Sequence, residues 1–322
     1  MNNLVKKKCK AFLKNYSVLA KGEGLGNIDM LLAEAGLCVA MNQTPDLRRF
    51  EECRKIYREN AGRFSRFNGN SLYVLITRLT HCDDPVAYVK RLAEIRTALG
   101  GRVSNETLVD VAIIIADSVD ETETDECIER TFEIYEKMMG SKKWTADENS
   151  MPFAALTAVS GRDVNEVLAE GERCRDILTE NDFSSEEICL FLGRVLALFD
   201  GNAEDKCKKV FDICEGLKDA RHMYFPGYRY AMLGMLAGLE AGADEIVELI
   251  AEADDALEGH KPFKGFLGMG IEARRMYAAQ MAQLALRETE IKNTDADSDT
   301  DLVVPQITFL YVILYTNLFM HL

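Results

Sequence analysis

The stretch Val111-Ala112-Ile113-Ile114-Ile115-Ala116 carries no polar side chain, so a helix built from it is apolar on every face. Such a helix is stable in water only where neighbouring elements cover its whole surface. A second stretch, Leu190-Phe191-Leu192-Gly193-Arg194-Val195-Leu196, has a single charged residue, Arg194. Both stretches therefore predict helices that lie buried in a stack of helices.

Apolar helical segments of this kind recur with a period of 40 residues. Charged, amphipathic segments alternate with them, and Cys53, Ile95 and Tyr135 begin a second column of apolar positions with nearly the same period. Repeats of this length are typical of helical solenoids, such as the HEAT and armadillo proteins. The sequence therefore predicts an all-α helical-hairpin repeat, an α-solenoid of about six helix pairs. The anchors of the first column are Val39, Leu79, Val119, Val159, Phe199 and Leu239.

Helix start and stop signals predict the boundaries of these elements. Residues 2–21 form a basic amphipathic pattern, and a long helical pattern covers 266–290, so we expect these helices to cap opposite ends of the array. The predicted pairs are 28–41 with 45–60, 71–80 with 85–99, 106–119 with 124–139, 151–160 with 164–179, 185–199 with 204–217, and 228–241 with 244–258. The predicted domains are a capping helix and turn at 1–27, a repeat domain at 28–290, an acidic linker at 291–301 and an apolar segment at 302–322.

The charge of the chain argues against several kinds of partner. Lys and Arg number 38 against 53 Asp and Glu, which gives a formal charge of −15. This charge opposes attraction to polyanions, so we expect no nucleic-acid partner. The nine cysteines include no CxxC pair, which indicates reduced, buried thiols in a cytoplasmic protein without a metal site or cofactor.

Polar side chains inside the apolar segments are the candidates for a site, because a buried charge without a partner is costly. Arg78 and Arg194 fall on one face of the first helices in the repeat register, and Asp117 and Thr157 flank that face. One hypothesis is a groove where the two arginines receive a carboxylate or an acidic peptide and Asp117 fixes one of them. The alternative is that each arginine pairs with a repeat neighbour, such as Asp117 or Glu34, for structural reasons.

The segment His81-Cys82-Asp83-Asp84 brings a possible base beside a thiol. Adjacent residues at a helix end point in different directions, so a helix C-terminus followed by an Asp cap explains the segment better than a catalytic pair. No other histidine lies in a recognisable catalytic motif. We therefore predict no catalytic residue.

The C-terminal region contains two further patterns. Asp295, Asp297, Asp299 and Asp301 alternate as in a calcium loop, but the positions that require Gly and Glu are not met, so this stretch reads as an acidic linker. Residues 302–322 carry no formally charged side chain and are long enough to span a bilayer. Docking on the protein is the favoured interpretation, and a membrane anchor and an association segment are the alternatives.

The stretches Pro226-Gly227-Tyr228-Arg229-Tyr230-Ala231-Met232-Leu233 and Phe266-Leu267-Gly268-Met269-Gly270, with Arg274-Arg275, carry a resemblance. On these residues the chain resembles a family of all-helical bacterial proteins known as a domain of unknown function, over about residues 2–290. The resemblance implies a soluble cytoplasmic protein and transfers no functional residue.

Solenoids present extended surfaces, so the sequence favours a non-catalytic cytoplasmic protein that binds a protein or peptide partner. Two alternatives stay open. One is an enzyme with a groove active site of unrecognised type, and the other is a membrane-tethered adaptor held by residues 302–322. The sequence identifies neither the partner nor the oligomeric state.

Overall fold

The computed structural model describes residues 2–22, 28–61, 70–102, 107–140, 150–227, 229–264 and 269–293. Within these ranges the chain forms fourteen α-helices and two short 3-10 turns, and no strand. The all-α prediction is confirmed. The helices are α1 (Asn2–Gly22), α2 (Ile28–Ala40), α3 (Leu47–Asn60), α4 (Asn70–Leu79), α5 (Pro85–Leu99), α6 (Leu108–Ser118), α7 (Thr124–Gly140), α8 (Ser150–Val159), α9 (Val164–Glu180), α10 (Glu186–Ala197), α11 (Ala203–Asp219), α12 (Tyr230–Ala237), α13 (Ala243–Leu257) and α14 (Gly270–Asn293).

Most predicted boundaries agree with the structure within two residues. Helix α5 agrees at both ends, because Asp84 caps its N-terminus and Pro85 occupies its first turn. Helix α12 is four residues shorter at its C-terminus than predicted. The chain leaves this helix at Gly238, where a side-chain Cβ would lie 2.2 Å from a ring carbon of Phe199. Glycine at this position therefore permits close packing against the Phe199 ring.

The described helices divide into two compact units. Unit 2 holds residues 45–165, and its helices form two layers, with α3, α5 and α7 in one and α4, α6 and α8 in the other. Neighbours within each layer are in contact, and across the layers α3 contacts α4, α5 contacts α6, and α7 contacts both α6 and α8. The layer of α4, α6 and α8 is the more apolar one, and it is almost wholly buried. Unit 2 is therefore a two-layer arrangement of helices.

Unit 1 holds residues 2–44 and 166–293 and is layered in the same way. Helices α2, α14, α12 and α10 are successive neighbours in one layer, and α1, α13 and α11 in the other. Helices α1 and α14 pack against each other, with Lys8 Nζ at 2.7 Å from Glu288 Oε2 and the rings of Phe12 and Tyr277 at 4.9 Å between centroids. The prediction that these two helices cap opposite ends of an open array is therefore wrong. The apolar face of α1 is buried against α13 and α14 instead.

A basic side chain in the first half of several amphipathic helices donates to a carbonyl one to three residues after the end of a buried helix. The last carbonyls of a helix have no intrahelical donor, and a cation there also interacts favourably with the helix dipole. Successive donors are 42, 39 and 79 residues apart, which is one, one and two repeat periods. The donor–acceptor pairs in unit 2 are Arg91–Val119, Arg49–Cys82 at 3.2 Å, and Arg130–Arg162 at 3.0 Å. The pair in unit 1 is Lys209–Leu239.

Asp254 on α13 is fully buried and is the centre of an ion cluster in unit 1. Its carboxylate accepts from Arg275 Nε at 3.1 Å and from both Nε and Nη2 of Arg274, and His222 Nδ1 lies 2.8 Å away. Arg275 also donates to the carbonyl of Arg221 at 2.9 Å. Burial acts to raise the pKa of Asp254, but the hydrogen bonds from Arg274 and His222 hold it below its usual value. The cluster thus joins the α11–α12 connection to α13 and α14.

We expect Asp254→Asn to lower the free energy of unfolding by about 3–5 kcal/mol, because it removes the countercharge of the buried Arg275 and leaves Arg274 with Glu258 alone. Urea denaturation measures this loss. The folded-state pKa of Asp254 lies below its unfolded value of 3.8, so its stabilisation is present above that pH and is lost as the pH falls further. Asp244→Asn, at an exposed position in the first turn of α13, is the control. Equal urea midpoints for the two variants would show that the cluster does not hold unit 1 together.

Candidate functional site

Arg78 at the end of α4 and Asp117 near the end of α6 form a two-point ion pair in unit 2. Arg78 Nε donates to Asp117 Oδ2 at 2.8 Å, and Nη2 donates to Oδ1 at 2.9 Å. The hydroxyl of Tyr88, on α5, donates to the same Oδ1 atom at 2.8 Å. The guanidinium carbon of Arg78 also lies 5.2 Å from the centroid of the Tyr88 ring. The three side chains connect two successive hairpins.

The electrostatic surroundings fix the protonation states of Arg78 and Tyr88 at physiological pH. Burial acts to lower the pKa of Arg78, but the hydrogen bonds and the charge of Asp117 outweigh it and raise the pKa above its ordinary value. Burial, with the nearby Asp117 carboxylate, raises the pKa of Tyr88 well above 10. The guanidinium of Arg78 therefore stays charged and the phenol of Tyr88 stays neutral near neutral pH.

A cleft of about 370 Å³ opens beside the triad. It is formed by the end of α4, the α4–α5 connection, the start of α5 and the 3-10 turn at Glu121–Glu123. The exposed carboxylates of Asp83, Asp84 and Glu121 line it, together with the guanidinium of Arg91. Asp117 neutralises Arg78, which leaves three carboxylates against Arg91, so the cleft carries a net negative charge.

His81 and Cys82 also lie on the wall of the cleft, but they are not arranged as a base and a nucleophile. His81 Nδ1 is 2.6 Å from the carbonyl oxygen of Thr77. The Cys82 thiol accepts from Arg78 Nη1 at 3.4 Å. Burial lowers the pKa of His81 and raises the pKa of Cys82 to about 11, so the thiol is protonated at neutral pH.

The interpretation of this segment as a helix end followed by an Asp cap is confirmed. Helix α4 ends at Leu79, and the side chain of Asp84 accepts from the backbone N–H groups of Val86 at 3.0 Å and Ala87 at 2.9 Å. These bonds satisfy two of the free donors at the start of α5.

The four residues of the predicted groove have different places in the structure. Arg78 and Asp117 are in contact, as both hypotheses for Arg78 expected. Thr157 on α8 is fully buried, and its hydroxyl donates to the carbonyl of Phe153 at 3.0 Å. Arg194 on α10 is buried in unit 1, whereas the other three residues belong to unit 2. The sequence analysis did not identify Tyr88. The only indication in the sequence was that this residue lies in the first turn of α5.

Two further predictions concern metal binding and the membrane. Among the residues that the structure describes, no group of three or more His, Cys, Asp or Glu side chains is placed to hold a metal ion. None of the described helices has both the length and the apolarity that crossing a membrane requires. Helix α14 continues to Asn293 and so includes the first three residues of the predicted acidic linker at 291–301, where the prediction is wrong. The rest of the linker and the apolar segment at 302–322 lie outside the described residues.

We expect Arg78→Met to lower the free energy of unfolding by about 1–3 kcal/mol, because it leaves Asp117 and Tyr88 without their shared charged partner. A double-mutant cycle with Asp117→Asn, followed by urea denaturation, isolates the coupling between the two side chains. The control cycle uses the exposed pair Arg102–Glu129, which should couple by less than about 1 kcal/mol. Indistinguishable coupling energies in the two cycles would contradict a structural role for the Arg78 pair.

The pKa of about 11 for Cys82 predicts the pH profile of its alkylation. The rate with iodoacetamide, followed at this cysteine by mass spectrometry, should keep rising from neutral pH towards pH 11, because only the thiolate reacts. The Cys82→Ser variant shows which alkylated peptide in the mass spectrum belongs to this cysteine. A rate that is already constant near neutral pH would instead indicate an activated thiolate and favour the enzyme alternative.

Comparison with known proteins gives one relationship. No curated protein and no solved structure matches this chain. A protein family matches residues 15–304, which is well over half of the sequence. That match confirms the resemblance to an all-helical family of unknown function. The chain belongs to the family described as "Protein of unknown function (DUF4003)".

Proposed function

We propose that this protein is a non-catalytic helical-repeat protein of the cytoplasm that binds a protein or peptide partner. The observation that carries the proposal is the acidic cleft beside the Arg78–Asp117 pair. Its walls belong to helix ends and their connections, where Asp84 and Arg91 already bond to backbone groups. A preformed, polar recess of this kind suits the capture of a side chain from a partner.

The repeat arrangement of six helix pairs is part of the proposal. Val39, Leu79 and Val159 occupy the last turn of α2, α4 and α8, while Phe199 and Leu239 follow α10 and α12 by two residues. The anchor positions therefore recur at the same place in successive hairpins. The basic residues that bond to carbonyls after the buried helices recur with the same period. Both patterns support a fold assembled from one repeated hairpin.

The charge of the cleft indicates which side chain it binds. The groove hypothesis expected Arg78 to bind a carboxylate of the ligand. Asp117 already supplies a carboxylate, which accepts from two of the guanidinium nitrogens. An acidic ligand would instead meet Asp83 and Glu121, which are exposed. A lysine or arginine of the partner is complementary to these carboxylates. We therefore propose that the cleft receives a basic side chain.

The same geometry favours binding over catalysis. The Cys82 thiol is protonated and bonded to Arg78, and the Nδ1 atom of His81 is occupied by the backbone of Thr77. An enzyme with a site elsewhere is the second candidate, and a membrane-tethered adaptor is a third that depends on residues 302–322.

The cysteines support the proposed location in the cytoplasm. All nine are free thiols, and seven of them are buried among apolar side chains. Burial raises the pKa of Cys9, Cys38 and Cys214 to about 12, so these thiols are inert in the folded protein. Cysteines used as small apolar core residues are characteristic of proteins from reducing compartments.

Fluorescence polarisation with labelled peptides tests the binding proposal. We expect lysine- and arginine-rich peptides to bind in a salt-dependent manner and acidic peptides not to bind this cleft. The double charge reversal Asp83→Lys with Glu121→Lys should weaken the binding of basic peptides about tenfold, because it replaces two attractions by repulsions. Both residues are exposed, so the variant should remain folded.

The control variant is Glu126→Lys with Glu133→Lys, which makes the same change in net charge at exposed positions of α7 in the same unit. It should bind basic peptides with nearly unchanged affinity. Equal weakening in both double variants would mean that the net charge of the protein, and not the cleft, attracts the peptides.

A further inference from the structure

Helix α1 has a charge opposite to that of the rest of the chain. It contains six lysines and neither aspartate nor glutamate, although the whole chain has a formal charge of −15. This helix is thus the positive element of an acidic protein. Its basic residues are Lys6, Lys7, Lys8, Lys10, Lys14 and Lys21.

Two of these lysines have internal roles. Lys6 Nζ lies 2.8 Å from Glu252 on α13. Lys8 is buried, with its Nζ atom 2.7 Å from Glu288 on α14 and 2.9 Å from Oδ1 of Asn42. These contacts hold α1 against its neighbours in unit 1. They leave four lysines for other interactions.

The other four, Lys7, Lys10, Lys14 and Lys21, are exposed and make no ion pair with any residue that the structure describes. At 3.6 residues per turn they fall within an arc of about 60° on one face of α1, along a length of about 21 Å. The buried residues of the helix, such as Phe12, lie on the opposite face. We call the four exposed residues the lysine stripe.

We infer that the lysine stripe is a docking surface for an extended acidic segment of a partner protein. An extended chain rises about 3.3 Å per residue, so about six or seven residues cover the stripe. Side chains alternate between the two sides of such a segment, and acidic residues at every second position would all face the lysines. The inference concerns a helix of unit 1 and does not depend on the cleft of unit 2.

A narrow segment fits this surface better than a flat anionic surface such as a bilayer. Helix α13 packs beside α1 and exposes the carboxylates of Asp244, Glu248 and Asp255, with no basic residue. Packed helix axes are about 8–10 Å apart, so a peptide that follows α1 alone lies closer to the lysines than to these carboxylates. A bilayer broad enough to contact both helices would be repelled by the carboxylates.

The probe is a fluorescein-labelled seven-residue peptide with glutamate at alternate positions and serine between them, titrated with the full-length protein at low salt. The test variant is Lys10→Gln with Lys14→Gln. The control is Lys90→Gln with Lys218→Gln, which removes the same charge at exposed positions of α5 and α11. We expect the dissociation constant to rise about fivefold or more in the test variant and to change less than twofold in the control.

Absence of peptide binding by the wild-type protein at low salt would overturn the inference, and so would an equal loss in the test and control variants. Vesicles that contain phosphatidylserine form the second arm. Vesicle binding that depends on Lys10 and Lys14, without peptide binding, would assign the stripe to a membrane and overturn the inference as well. Circular dichroism of both variants checks that the fold is retained.

Discussion

The structure depends on covering helices that have no polar face. Helices α6 and α12 are almost entirely buried, and this is possible only because each lies between neighbours of its own layer and against the amphipathic layer. Small residues permit the required approach. At Gly193 of α10 a Cβ would lie 2.7 Å from the carbonyl oxygen of Gly171 on α9, and at Gly234 of α12 it would meet Leu192 at 2.6 Å. Any larger residue there would separate the backbones and expose apolar surface.

Close packing of apolar helices creates a second requirement, since their ends still carry unpaired backbone carbonyls. Long basic side chains from the amphipathic layer, such as Arg130 and Lys209, donate to carbonyls that follow these ends. The interior ion pairs follow the same logic. Arg78 and Asp117 are 39 residues apart, and each finds in the adjacent hairpin the partner that its own hairpin does not supply.

Much of this was predictable from local patterns. Helix existence and most boundaries follow from caps and apolar periodicity, as at Asp84 and Pro85, because these effects act within one turn of the chain. The Arg78–Asp117 contact could be predicted, because the repeat register places the two residues in neighbouring helix pairs. The contact of Lys8 with Glu288 could not be predicted, because the period relates only neighbouring helix pairs and these residues are 280 positions apart. The Asp254 cluster likewise assembles groups from three separate elements.

Internal pairing also determines which charges are left for recognition. Arg78, Lys8 and Arg275 lie in apolar or amphipathic segments, and each is engaged by the protein itself. The charges available to a partner are exposed: Asp83 and Glu121 at the cleft, and the lysine stripe on α1. A partner can gain from such charges without first breaking an internal contact, so an ion pair with them costs only partial desolvation. Recognition by this fold is therefore best sought at its exposed charges, and the conspicuous buried ones serve its stability.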